Sequence, residues 1–336
     1  MFKFKLFLIV SIIFTLHLNA EEIDLKISLK NGTTGGVGRA DTIKLIALQG
    51  GMTPIGEFQN KQGNFILEKI DFPDQTPVLI QVTYKGANYN KMVPPTPVFR
   101  NKLQEITVYE NTTELKNIEV RSLMQIIREE NFLRVYKIFL IENKTNPPKT
   151  FQNPNSPIEV FVPKESEEIF GQLTQGDSKM GIPLTLGNGT KGKMVDRPIL
   201  PGTSELQISY IIPAESLANV SFKDEYSFED KNSPRILFFK PKDMKVDIKG
   251  ALEQKEIQEE IPQGLGAIRA TYPNTSSVEI VVTGGKPETE DTTMQGQQNR
   301  KVRNGSIFTT WDKSLLGVIG ILGILVTLSF LFVYRK

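Results

Sequence analysis

Ile23-Asp-Leu-Lys-Ile-Ser-Leu29 puts an apolar side chain at every second position, the period of a strand with one face buried. The same reading extends to Thr42-Ile-Lys-Leu-Ile-Ala-Leu48, Asn64-Phe-Ile-Leu-Glu-Lys-Ile70, Val78-Leu-Ile-Gln-Val-Thr-Tyr84 and Ile106-Thr-Val-Tyr109. Between these runs stand Gly35-Gly36, Gly50-Gly51, Gly63 and Gly86, where turns should fall. Short strands punctuated by glycine turns predict an all-β sandwich over residues 21–113.

A second series begins after Asn111-Thr-Thr-Glu-Leu115. Met124 to Tyr136 fits either an amphipathic helix or a hairpin. The β-branched residues around Val135 and Ile138, and the Asn143-Lys-Thr-Asn-Pro-Pro148 stop, favour strand, turn, strand with the turn at Glu129-Glu130-Asn131. Further strands are predicted at Ile118–Val120, Ile158–Val162, Glu205–Ile212, Arg235–Phe239, Met244–Ile248, Ala267–Tyr272 and Val278–Val282. The fold expected is therefore two tandem antiparallel β-sandwiches, residues 21–113 and 114–285.

Both ends of the chain are hydrophobic. Lys3 and Lys5, the apolar Leu6–Leu16 run and Ala20 before Glu21 form the order of a secretory signal over residues 1–20, with cleavage between Ala20 and Glu21. An apolar run of about 11 residues is too short to span ~30 Å of hydrocarbon, which disfavours an uncleaved anchor. Leu315 to Tyr334 holds no charged side chain and predicts a transmembrane helix within residues 313–334. Trp311 and Tyr334 suit the membrane interface, with Arg335 and Lys336 as a cytoplasmic tail. Gly317, Gly320 and Gly323 open one helix side to close approach, so homo-oligomer formation through this helix stands beside ordinary glycine tolerance in a membrane span. Residues 286–312 are rich in Pro, Glu, Thr, Gln and Asn and read as a flexible tether, with an average reach of about 30 Å.

Composition excludes more than it assigns. The chain has no cysteine, and its single histidine, His17, lies in the signal segment. Thiol chemistry, zinc sites built from Cys and His, and a Ser-His-Asp triad are thereby absent from the exported part. Of 40 Lys and Arg, removing Lys3, Lys5, Arg335 and Lys336 leaves 36 against 38 Asp and Glu, so that part is mildly acidic. It carries no basic stripe for a nucleic acid. A thiol-free exported chain rich in Lys, Asn and Ile reads as a bacterial envelope protein, in the inner membrane with its domains in the periplasm.

The glycine turn at Gly35-Gly36, the strand at Ile43-Lys-Leu45, Gly63-Asn-Phe65 before Leu67 and Ile70, and Val82-Thr-Tyr84-Lys-Gly86 followed by Tyr89 resemble the carboxypeptidase regulatory-like family. That likeness covers residues 31–110 and implies a transthyretin-like Greek-key sandwich. Residues 114–285 resemble the second, Ig-like sandwich that follows this domain in some anchored bacterial proteins, through Ile141-Glu-Asn143, Val160-Phe-Val-Pro163, Pro201-Gly202 and Tyr210-Ile-Ile-Pro213. The resemblance implies recognition or spacing, with no catalytic residues and no cofactor.

Tyr84, Tyr89 and Phe99 are ligand-platform candidates if they face solvent, although strand periodicity favours core packing for most of them. Glu165, Glu167 and Glu168, and Asp224, Glu225, Glu229 and Asp230, read as solvated turns, with calcium a weak option at the second group. Gly187-Asn-Gly189 with Lys191-Gly-Lys193 reads as a hairpin loop and not a phosphate loop. The function expected is a membrane-anchored envelope protein that binds or scaffolds a protein or glycan without catalysis. The alternatives are a carboxylate-dependent glycan hydrolase and a chain whose C-terminal span is a processed sorting signal.

Overall fold

The computed structural model describes residues 21–287 apart from 178–179, 215–218, 227, 229–233, 258–260, 262–263 and 275–276. The signal segment with Ala20, the tether, and the predicted membrane helix with Trp311, Gly317, Gly320, Gly323, Tyr334, Arg335 and Lys336 lie outside the described residues. Among the described residues no helix is long and apolar enough to cross a membrane.

Strands are numbered in chain order. The opening motif becomes β1 (Glu21–Asn31), which alternates as read: Ile23, Leu25, Ile27 and Leu29 are buried. It lies between β4 (Asn64–Phe72) and β7 (Gln104–Val108). A second sheet orders β3 (Thr53–Gln62), β2 (Arg39–Ala47), β5 (Val78–Tyr84) and β6 (Ala87–Val93). Ile43, Leu45, Ile80 and Val82 from this sheet close on β1 to form one hydrophobic core. Each such side chain contributes about 1.5–3 kcal/mol by leaving water. Gly63, at φ 60, turns β3 into β4 where an L side chain would be strained. The short helix α1 (Pro97–Arg100) precedes β7, and its Arg100 stacks 5.1 Å from the Phe72 ring centroid.

The second core is larger. An eight-stranded sheet orders β14 (Gly181–Leu184), β13 (Glu167–Gln175), β17 (Gly202–Pro213), β10 (Phe132–Asn143), β9 (Ile118–Arg128), β19 (Arg235–Pro241), β22 (Leu265–Thr271) and β21 (Glu253–Ile257). Two three-stranded sheets complete it: β12 (Ile158–Phe161), β16 (Gly192–Val195) and β15 (Leu186–Asn188), and then β18 (Val220–Asp224), β23 (Val278–Gly284) and β20 (Met244–Lys249). Apolar residues of all three sheets belong to one buried cluster. The ambiguous stretch resolves as the β9–β10 hairpin, with Leu133 opposite Arg128 and the Glu129 N–H donating to Phe132 O at 2.9 Å.

Three departures from the sequence reading have physical causes. The sheets are not wholly antiparallel: β1 pairs with β7, β9 with β19 and β8 (Asn111–Thr112) with β11 (Thr150–Phe151) in parallel. Each of these pairs joins strands far apart in sequence, which long crossovers permit. Glu167 and Glu168 are not in a turn. They open β13, where Glu167 pairs with Ile211 and Glu168 sits at φ 47 within a bulge before Phe170. Asp224 is not in a solvated turn either: it ends β18 fully buried.

The two cores meet through the β8–β11 pair and a polar joint. The Tyr89 hydroxyl lies 2.8 Å from Thr150 Oγ1, and Asn111 Nδ2 donates to Gln152 Oε1 at 3.1 Å. Leu200, between β16 and β17, packs into the first core.

Candidate binding groove

The alternation of β10 decides what lies in the middle of the second core. Leu133, Val135, Phe139 and Ile141 point inward, and so does Lys137, which shares their phase. On β18 the inward row is Val220, Phe222 and Asp224. The facing rows bring Lys137 Nζ to 2.6 Å from Asp224 Oδ1, with side-chain exposures of 3% and 0%. A buried carboxylate needs its remaining lone pairs satisfied, and the Tyr272 hydroxyl donates to Asp224 Oδ2 at 2.9 Å. Lys137 also donates to Phe161 O at 3.1 Å, at the end of β12. One ammonium therefore ties three elements together, and the rings of Phe139 and Phe161 lie 6.0 and 5.7 Å from it. Asp224 is thus committed to the core, which corrects the calcium option there.

β12 and β18 are each the last strand of their sheet, so each keeps one row of backbone groups without a strand partner among the described residues. On the solvent side of this meeting point they flank a groove of about 840 Å³, lined by Phe161–Glu165 on one wall and by Ser221, Phe222, Lys223 and Glu225 on the other. Thr190, Lys191 and Glu279 complete it. Two other cavities among the described residues measure about 350 and 150 Å³.

The Lys191 hairpin closes part of the rim. Its turn is held by Glu159 of β12, whose carboxylate accepts from the N–H groups of Lys191 and of Gly192 (2.9 Å) and from Thr190 Oγ1 at 3.2 Å. Burial alone would raise the Glu159 pKa, but the two backbone donors hold it below the usual carboxylate range. Gly192 is required by close approach, because a Cβ there would lie 2.1 Å from Val160 O. Lys191 Nζ then reaches Glu225 Oε1 at 2.6 Å and links the two walls. That hydrogen bond raises the Lys191 pKa. The loop is thus a hairpin, as its sequence indicated.

The sequence-derived platform candidates do not line this groove. Tyr84 and Tyr89 are 7% and 4% exposed, since β5 and β6 turn them into the first core. The Tyr84 hydroxyl donates to Glu110 Oε1 at 2.8 Å, and Tyr89 belongs to the joint between cores. They do not meet the condition set for a solvent-facing platform. Phe99 is 48% exposed on α1, beside Val98. Glu21 is the first residue of β1, opposite Phe72. No group of three or more metal-ligating side chains occurs among the described residues.

No family model matches the chain, and no curated protein matches it. Among solved structures, an M1 zinc metallopeptidase from Deinococcus radiodurans aligns at 11% identity over 50% of this chain and 42% of that one, with a TM-score of 0.26. A mutant of the same peptidase bound to a Tyr-Ser-Ala substrate aligns at 11% identity over 50% of this chain and 43% of that one, also at 0.26. The chain spans less than half the length of these peptidases. A likeness at this TM-score carries no argument about fold or activity.

Proposed function

We propose that this chain is a binding or scaffold protein of the bacterial cell envelope, in which the groove between β12 and β18 receives an extended segment of its partner. The observation that carries the reading is a cavity of about 840 Å³ walled by segments of β12 and β18, each the outermost strand of its sheet. An outermost strand can recruit an extended segment by main-chain hydrogen bonding, and the side-chain pockets beside it supply selectivity. The walls carry Lys164, Lys191 and Lys223 against Glu165, Glu225 and Glu279, a mixed charge that suits a polypeptide strand better than a polyanion.

In the same proposal the first core is a transthyretin-like Greek key and the second an Ig-like sandwich widened by additional strands. The chain enters the envelope through its signal segment and is held in the inner membrane by residues 313–334, with the folded part in the periplasm on its tether. Binding, without catalysis, is the activity proposed.

The test uses the full chain in detergent, immobilised and exposed to envelope extract, beside Ser221→Trp and Lys223→Glu chains. Both residues are exposed, so the fold should tolerate the changes. A specific envelope component retained by the original chain and reduced roughly tenfold by either change supports the groove. Retention unaffected by both variants, or glycan hydrolysis abolished by replacing one carboxylate, overturns the proposal.

A further inference from the structure

The Lys137–Asp224 contact combines features that an ordinary surface ion pair lacks. The amine nitrogen touches the carboxyl group at 2.6 Å, both side chains are within 3% of full burial, and two phenyl rings flank the ammonium. Tyr272 fixes the second carboxyl oxygen at 2.9 Å. The Tyr210 hydroxyl is buried without a hydrogen-bond partner among the described residues. Burial first, and then the Asp224 charge, raises the pKa of both tyrosines well above the ordinary value, so both hydroxyls remain proton donors.

We propose that Lys137 and Asp224 condense to an intramolecular amide, an isopeptide bond that joins β10 of the eight-stranded sheet to β18 of the sheet facing it. The ammonium proton first passes to Asp224 Oδ1 across the existing hydrogen bond, leaving a neutral amine beside a carboxylic acid. The lone pair on Nζ then attacks Cγ, while Tyr272 polarises the C–Oδ2 bond and supports the negative charge that develops on that oxygen. The Nζ–Cγ bond forms, the Cγ–Oδ1 bond breaks, and Oδ1 leaves as water with one proton from the acid and one from the amine. No oxidant, reductant or other co-reactant enters.

Two physical terms favour the step. Fixing amine and acid in contact replaces a bimolecular encounter with an effective concentration of about 10⁵–10⁸ M. Product formation also exchanges a buried ion pair, which keeps a desolvation penalty, for a neutral amide and a water. The bond would give a chain with no cysteine a covalent tie between its sheets. Because it lies on the core side of the groove, at the Phe161 carbonyl, it would also fix the spacing of the two open edges.

The experiment is intact mass measurement of the full chain purified from its own membranes, followed by peptide mapping. A mass about 18 Da below that of the processed sequence is expected, with a branched peptide joining the Lys137 and Asp224 segments. An unshifted mass, with both residues recovered in linear unmodified peptides, overturns the proposal and leaves the contact as an ion pair only. Lys137→Arg, which keeps the charge, should abolish the loss, and retention of the loss in that variant would also refute the assignment. Asp224→Asn should lose ammonia, about 17 Da, instead of water. Tyr272→Phe should slow linkage of newly synthesised chain at least several-fold, and an unchanged rate overturns the part given to Tyr272.

Discussion

Glu110 shows how one side chain couples distant strands. Its carboxylate takes hydrogen bonds from Lys85 Nζ, from Tyr84 OH at 2.8 Å and from Asn31 Nδ2 at 2.9 Å. Led by the Lys85 hydrogen bond, these partners outweigh burial and depress its pKa from 4.5 to about 2. A carboxyl depressed in the folded state contributes stability that is complete above its unfolded value, near 4.5, and is lost as pH falls towards 2. The stability difference between the original chain and Glu110→Gln should therefore shrink from pH 5 down to about 2, measured by denaturant unfolding at each pH. A difference constant across that window would contradict this role. The sequence placed this glutamate just after the last strand of the first series, but its partners are 79, 26 and 25 residues away and leave no local trace. Lys137 was not singled out from the sequence and Asp224 was read as part of a solvated turn, although both left a local signal. Each occupies the inward phase of an alternating strand, between Val135 and Phe139 in one case and two residues after Phe222 in the other. A charged residue in an apolar phase is the signal that the strand pattern carried.

Strands buried on one face were legible for the same reason. β5 matches its sequence-derived bounds at Val78–Tyr84, and β10 alternates buried and half-buried side chains along its whole length. β3 and β21 were missed because they are outermost strands of their sheets with few buried side chains, so hydrophobicity has no period to impose there. The open edges of β12 and β18 were invisible for another reason: sequence gives a strand's faces, whereas its neighbours are set by tertiary pairing. The β12–β16 pair depends on Gly192, where the backbones approach too closely for a side chain. Gly192→Ala should force the strands apart, release the turn from Glu159 and lower stability by about 1–3 kcal/mol, with increased proteolysis in the 186–195 hairpin. Unchanged stability and protease resistance would show that this contact relaxes without consequence.

At the scale of the molecule, two hydrophobic clusters share one compact unit within residues 1–287. The joint between them includes hydrogen bonds at Tyr89, Thr150, Asn111 and Gln152 and the buried side chain of Leu200. The residue pattern announced an all-β chain, but not an eight-stranded sheet with two three-stranded ones whose outermost strands line a common groove. That division arises from pairings such as β9 with β19, which no local pattern encodes. It also creates the groove, so the proposed activity is a property of the assembled sheets and not of any motif. The direct measurement is site-specific photo-crosslinking in living cells. A photoreactive residue replaces Lys164 or Lys223 on the groove walls, with Lys26 on β1 as an exposed control. The groove account expects the same partner adduct from both walls and none from Lys26. Adducts of equal strength at all three positions, or none from the walls while the partner is still retained by the full chain, would contradict it.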